Sequence, residues 1–184
     1  MVYLILWMTA LYKAGPITLL VDQVLRGRLV VEGYGVLISV AFGGLFAVLQ
    51  IISPWMGKLE LRTMERAAWI TAFFMLGSDI YALINHNMVV WFIGAGYMLP
   101  IFYRVFKRLQ DRLKDSYHGE GKSLNWLLGQ EDRVAGYTTL ICTGITQVGD
   151  WLKIDIWYMA CVPDMIELPI CLLLIRWAVD KLDE

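Results

Sequence analysis

The sequence is poor in the side chains on which most enzyme active sites and metal centres depend. It has two histidines, His86 and His118, and its three cysteines, Cys142, Cys161 and Cys171, lie in apolar stretches without a C-x-x-C pair. Such cysteines predict neither a disulfide framework nor a thiolate metal site. Glycine-rich phosphate-binding loops are lacking as well. We therefore expect no metal and no cofactor.

An excess of charge of one sign is also lacking. The formal net charge at pH 7 is −1, and 18% of the residues are charged. A chain with this balance has no overall attraction to nucleic acid, and no nucleic-acid readout motif is present. The sequence therefore excludes nucleic acid as an expected partner.

The sequence is rich in long apolar stretches. Hydrophobic residues make up 58% of the chain and the mean hydropathy is +0.56. A bilayer core of about 30 Å needs roughly 20 apolar helical residues, and six stretches fit that length: 1–21, 33–53, 67–85, 88–106, 134–150 and 155–176. The sequence predicts an all-α, multi-pass membrane protein in which residues 1–184 form a single transmembrane domain embedded in the lipid bilayer.

The first stretch differs from the others because Lys13, Gly15 and Pro16 interrupt it. A buried ammonium group is costly unless it reaches the interface or finds a partner. If the first segment does not span the membrane, we expect it to be a broken or interfacial helix. A five-span arrangement remains open beside the six-span one.

The basic residues predict the orientation in the membrane. With six spans, twelve Lys and Arg residues fall on one side and three on the other. Because Lys and Arg accumulate on the cytoplasmic side, we expect both termini in the cytoplasm and tight hairpins facing outward at 85–87 and 150–155. This pattern favours a bacterial inner-membrane protein.

The longest polar segment, residues 104–133, is expected to be cytoplasmic. Its first half is predicted to continue the fourth span as an amphipathic helix, since apolar residues recur at helical spacing: Val105, Phe106, Leu109, Leu113 and Tyr117. The opposite face carries the basic residues Arg104, Lys107, Arg108, Arg112 and Lys114. Two interpretations stay open: the segment docks a cytoplasmic protein or anionic lipid headgroups, or it is a basic linker held at the bilayer, where each charge contributes about 1 kcal/mol.

Ionisable side chains inside predicted spans are candidates for a pathway through the membrane. They are Lys13, Asp79, Asp164 and Glu167. Each would cost at least about 2.5 kcal/mol if it faced lipid. Asp164 and Glu167 are three residues apart and so share one helix face, between two prolines that free backbone carbonyls. An ion or solute pathway, an ion pair with a residue such as Lys13, and a solvated position near a span end are all compatible with this pattern.

A further pair of aspartates carries a family resemblance. The segment Gly149-Asp150-Trp151-Leu152-Lys153 is similar to the second catalytic motif of the prepilin-type peptidases, and Asp79-Ile80 with Ile84-Asn85 resembles the first. The resemblance implies an intramembrane aspartyl protease in which Asp79 and Asp150 act as paired general acid and base. The chain departs from these motifs at Gln147 and Ile84. The charge bias also places both aspartates outside, whereas that family cuts on the cytoplasmic side.

Small residues inside the spans permit close helix packing within the chain or between copies of it: Gly43, Gly44, Ala47, Gly94, Gly96 and Gly144. The leading prediction is a nonenzymatic anchor, sensor or effector subunit that forms homo-oligomers and engages a cytoplasmic partner through 104–133. Bacterial stress and phage-defence systems use such subunits. The alternative is a small ion or solute channel or transporter built on the acidic residues of the last span, and the protease is the third hypothesis.

Overall fold

The computed structural model describes residues 2–25, 58–116 and 130–183, and within them the chain is entirely helical, without strands. The helices are α1 (Val2–Leu25), α2 (Leu61–Asn85), α3 (Met88–Ser116), α4 (Glu131–Trp151) and α5 (Ile156–Asp183). The prediction of an all-α fold is confirmed for these residues. The predicted span 33–53, with its small residues, and residues 117–129 of the segment 104–133 lie outside the described residues.

Among the described residues, three helices are long and apolar enough to cross a membrane. They are α2, most of α3 (Val89–Asp115) and most of α5 (Trp157–Asp183). At 1.5 Å per residue each is about 37 to 40 Å long, which exceeds the hydrocarbon thickness of a bilayer. The bundle also exposes large apolar side chains, among them Ile70, Phe73 and Leu140. An apolar exterior around an apolar core is what a lipid environment requires.

The helices pack in the order α4, α1, α3, α2, α5, each mainly against its neighbours in that series. Two residues join α2 to α3, and residues 152–155 join α4 to α5. At the first turn, His86 adopts a left-handed conformation (φ 52°) and its N–H bonds to the carbonyl of Ala82. The imidazole of His86 stacks on the indole of Trp157, with ring centroids 5.4 Å apart. Both turns therefore lie at the same end of the bundle, which we call the hairpin end.

The first helix is continuous through Gly15 and Pro16, so the expected interruption does not occur. A β-carbon at position 15 would lie 2.6 Å from a methyl carbon of Leu99. A larger residue there would require the side chain of Leu99 to shift, because α1 approaches α3 closely. One turn earlier, Tyr12 is buried and its ring stacks on Phe106 at a centroid distance of 5.7 Å. This packing holds α1 in the bundle despite the hydrogen bond that Pro16 cannot donate.

The third helix continues to Ser116, as the amphipathic pattern predicts. The apolar side chains from residue 105 onward on its predicted amphipathic face are buried in the main core of the bundle: Val105, Phe106, Leu109 and Leu113. They pack against other helices of this chain. The apolar face of residues 104–116 is therefore covered by protein.

Candidate functional site

Asp79 lies in the interior of the bundle. It is six residues, or about 9 Å along the axis, from the end of α2 at the hairpin end, and its exposed fraction is 0%. Neither carboxyl oxygen reaches a hydrogen-bond partner in the described part of the chain. Buried polar groups are almost always hydrogen-bonded, because leaving one unmet costs about 1 to 3 kcal/mol or more. A fully buried carboxyl without partners is therefore the least expected feature of this structure.

Asp164 of α5 lies within electrostatic range of both Asp79 and Glu167, and Cys161, one turn before Asp164, lies within range of both aspartates. Asp164 and Glu167 are half-buried on one face of the helix. We call Asp79, Asp164 and Glu167 the carboxyl file, because they follow one another from about 9 Å to about 16 Å below the hairpin end.

The third helix adds a hydrogen-bond donor to this site. Trp91 is 8% exposed, and its indole ring lies beside Asp164. Its N–H nevertheless meets no acceptor at hydrogen-bonding distance within the described residues, and neither does one oxygen of Asp164. A buried donor and a half-buried carboxyl thus lie near each other without a hydrogen bond within bonding distance.

Next to Glu167, at the end of the file, lie the thiol of Cys171 and the phenol of Tyr12. The thiol of Cys171, one turn along α5, lies 3.9 Å from a carboxyl oxygen of Glu167. The same sulfur lies 3.2 Å from the hydroxyl oxygen of Tyr12 and 3.5 Å from the sulfur of Met8, both on α1. Tyr12 and Cys171 are fully or almost fully buried. The file therefore ends at a contact between α5 and α1.

Lys13 is the one predicted pathway residue that the structure places elsewhere. Its ammonium nitrogen lies 3.2 Å from a carboxyl oxygen of Glu131 and also contacts Asp132, in the first turn of α4. Lys107 of α3 forms an ion pair with Glu131, whose carboxyl also accepts a hydrogen bond of 3.3 Å from the hydroxyl of Tyr103. We call this arrangement the Glu131 node. An ion pair between Lys13 and the acidic residues of α5, one of the three interpretations that the sequence left open, is not formed.

The Glu131 node holds its two acidic residues in the charged state. Burial raises the pKa of Glu131. The hydrogen bond from Lys107 and the charges of Lys107 and Lys13 together lower it by more than burial raises it, so the pKa of Glu131 lies below its usual value. The hydrogen bond from Lys13 lowers the pKa of the exposed Asp132. Basic side chains thus neutralise this node, whereas the carboxyl file has no Lys or Arg ion pair among the residues that the structure describes.

The basic residues of α3 have different surroundings. The guanidinium of Arg104 lies 5.6 Å from the ring centre of Tyr103, and Lys107 contacts Asp111 at 3.8 Å as well as Glu131. Arg108 and Lys114 are half-buried. Arg112 is exposed and lines an open groove of about 610 Å³ between the end of α3, the start of α2 and the end of α5. The binding role of these residues stays a prediction, but Lys107 acts within the bundle.

The two aspartates of the protease hypothesis occupy unlike environments. Asp79 is buried beside α5, whereas Asp150 is exposed in the last turn of α4. The structure groups Asp79 with Asp164. The pairing of Asp79 with Asp150 remains a hypothesis from sequence.

Sequence reasoning missed Tyr12, Trp91 and Cys171. Cys171 follows Glu167 by four residues, a spacing that places both on one helix face and could have identified it. Tyr12 and Trp91 reach the site through tertiary packing alone, and no local pattern marks them. Within the described ranges, no group of three or more His, Cys, Asp and Glu side chains is arranged to hold a metal ion.

Comparison with protein-family models, with curated proteins and with solved structures finds no match to this chain.

Proposed function

We propose that this protein is a multi-pass membrane protein that moves a small cation or a proton through its helical bundle, with the carboxyl file as the carrier site. The observation that supports this most directly is the fully buried carboxyl of Asp79, which has no hydrogen-bond partner among the described residues and lies near Asp164. Ionisable residues inside a membrane are expensive and usually mark an ion or proton route. If position 79 had only a structural role, an Asn side chain or a carboxylate paired with a cation would serve it.

The membrane arrangement belongs to the same proposal. Six spans, with both termini in the cytoplasm of a bacterial cell and the hairpin end outside, agree with the twelve-to-three division of basic residues. In that arrangement the carboxyl file lies within the hydrocarbon zone, nearer the outer surface. The Glu131 node and Arg62 lie towards the cytoplasm.

The proposal is tested by flux measurements on the purified protein in liposomes, under voltage, pH and salt gradients. We expect Asp79→Asn to lower flux about a hundredfold, because the amide cannot exchange a proton or carry charge, and Asp164→Asn and Glu167→Gln to lower it as well. Asp155→Asn is the matched control. Asp155 is exposed at the hairpin end and accepts a hydrogen bond from the backbone N–H of Trp157, which Asn can also accept.

Each variant is checked for retention of helicity and of monodisperse elution in detergent, so that loss of flux is not loss of fold. Liposomes that show no flux with the unaltered protein under any gradient would contradict the proposal. Equal flux from the unaltered protein and from the Asp79→Asn variant would do so too.

A second candidate function is the anchor or effector subunit that recruits a cytoplasmic partner through 104–133, with homo-oligomerisation. The observation in its favour is the open groove beside Arg112, which combines Arg62 and Arg112 with Glu60, Asp115 and Asp183. Mixed charges at the rim of a groove suit a polar peptide. Replacing Arg112 with Gln should then weaken co-purification of a cellular partner without altering membrane insertion.

A further inference from the structure

The chemistry around the carboxyl file restricts what it can carry. Four helices contribute groups to it: Tyr12 from α1, Asp79 from α2, Trp91 from α3, and Asp164, Glu167 and Cys171 from α5. Two observations indicate that it takes a ligand at all. Among the described residues, neither the fully buried carboxyl of Asp79 nor the buried indole N–H of Trp91, which lies near Asp164, has a hydrogen-bond partner within bonding distance.

A metal cation fits these surroundings poorly. Hard cations such as Ca²⁺ and Mg²⁺ require about six or more oxygen ligands converging at 2.0 to 2.6 Å. The carboxyl groups of the file are distributed along the bundle axis, and the described residues contain no converging group of three metal-binding side chains. The remaining neighbours are thiols, an indole, a phenol and apolar side chains. A proton needs only one oxygen at a time.

We infer that the cargo of the carboxyl file is the proton, and that Tyr12, acting through Cys171, is a positioning residue that holds Glu167 at the inner end of the file. This inference rests on the proposed transport function and names its substrate. The contacts from Tyr12 to Cys171 (3.2 Å) and from Cys171 to Glu167 (3.9 Å) link that carboxyl to α1.

The exchange involves only O–H bonds. A proton that binds the carboxylate of Asp79 makes it a neutral acid. When that proton passes to the carboxylate of Asp164, directly or through a water molecule, Asp79 is again an anion and Asp164 becomes the neutral acid. The same transfer from Asp164 to Glu167 moves the proton one helix turn further. One proton enters and one leaves, so that no oxidant or other reactant is consumed.

Tyr12→Phe tests the positioning role, because it removes one oxygen and keeps the ring, which stacks on Phe106 and packs at a tilt against Phe102. Tyr81→Phe is the control, since Tyr81 is exposed on α2. In liposomes with a pH-sensitive dye inside, we expect Tyr12→Phe to lower proton flux about tenfold and to move the midpoint of its pH profile by about half a unit or more. Tyr81→Phe should change neither. A structural role alone would lower the flux without moving the midpoint.

The substrate is tested by applying one gradient at a time. With a pH gradient and no metal-ion gradient, proton flux should persist. With a Na⁺, K⁺ or Mg²⁺ gradient at equal pH, no metal-ion flux that is sensitive to Asp79→Asn should occur. Metal-ion flux that depends on Asp79, without proton flux, would overturn the inference and leave the proposed function standing. Proton flux with an unmoved midpoint in Tyr12→Phe would overturn the role of Tyr12. Absence of all flux would remove the proposed function itself.

Discussion

At the scale of single residues, the tightest contact between α2 and α3 depends on a glycine. A β-carbon at position 94 would lie 2.7 Å from the sulfur of Met75 and 2.8 Å from the β-carbon of Ser78. The methionine side chain can move aside, but the β-carbon of Ser78 is fixed to the backbone of α2. Gly77, on the same pair of helices, is exposed and would place a β-carbon in open space.

These two glycines form a matched pair. We expect Gly94→Ala to lower the free energy of unfolding by about 1 to 3 kcal/mol, because the two helices must separate to admit the methyl group. Gly77→Ala should leave it unchanged or raise it by up to about 1 kcal/mol through helix propensity. Unfolding in mixed micelles, followed by tryptophan fluorescence, measures both. Equal destabilisation by the two substitutions would contradict the close approach at Gly94.

The residue scale also shows where sequence reasoning succeeds and fails at the site. The cost of ionisable groups in lipid predicted Asp79, Asp164 and Glu167 as pathway candidates without any structure; the structure places Asp164 within electrostatic range of the other two, and their role stays a prediction. Sequence reasoning could not assign the partner of Lys13, since Glu131 is 118 residues away and lies at the start of another helix. Composition says which charges need a partner, whereas the order of helix packing decides which partner they meet.

At the scale of helices, the Glu131 node joins α1, α3 and α4. Its two acidic side chains differ sharply in environment, because the side chain of Glu131 is 9% exposed and that of Asp132 is 87% exposed. Coulombic attraction is stronger where water is excluded, and exposed ion pairs contribute little. Glu131 should therefore carry most of the stability that the node supplies.

We expect Glu131→Gln to lower the free energy of unfolding at pH 7 by about 1.5 to 3 kcal/mol, the range for hydrogen bonds to charged groups. Asp132→Asn should have no measurable effect. Because the pKa of Glu131 is lowered in the folded state, its contribution is present above the unfolded value of about 4.3 and is lost as the pH falls through the lower folded value. The stability difference between the unaltered protein and Glu131→Gln should therefore shrink below about pH 4.

That experiment compares melting temperatures of the three proteins in detergent between pH 7 and pH 3. A difference that stays constant down to pH 3 would show that the carboxylate charge is not what stabilises the node. Equal effects of the two substitutions would show that burial does not distinguish them.

The helix boundaries show a second limit of sequence reasoning. The apolar pattern predicted spans of 67–85 and 155–176, but α2 begins at Leu61 and α5 ends at Asp183. Ion pairs link the added turns of α2 and α5. Arg62 lies 2.7 Å from Asp180, 2.9 Å from Asp183 and 3.3 Å from Glu65. Hydropathy detects the part of a helix that lipid can cover, and ion pairs extend the helix beyond it.

At the scale of the whole molecule, the fold separates two ends that the membrane proposal assigns to opposite sides. Leu152→Cys places a thiol at the hairpin end, and Glu60→Cys places one at the other end of the bundle; both positions are exposed. In intact cells, we expect a membrane-impermeant maleimide to label Leu152→Cys at once and Glu60→Cys only after permeabilisation. The unaltered protein, whose cysteines are buried or half-buried, gives the background. Labelling of both variants from the same side would contradict the proposed orientation.

The burial of Asp79 has a consequence for biogenesis. The helix that carries it is translated before α5, the helix that encloses it, so the ribosome must add about eighty more residues before the carboxyl acquires its final surroundings. During that interval α2 bears an acidic group in the bilayer or in the translocon, at a cost of about 2.5 to 3.5 kcal/mol. The exposure of the Asp79 carboxyl thus ends when α5 is complete. Truncated chains lacking α5 should be recognised and degraded by membrane quality control.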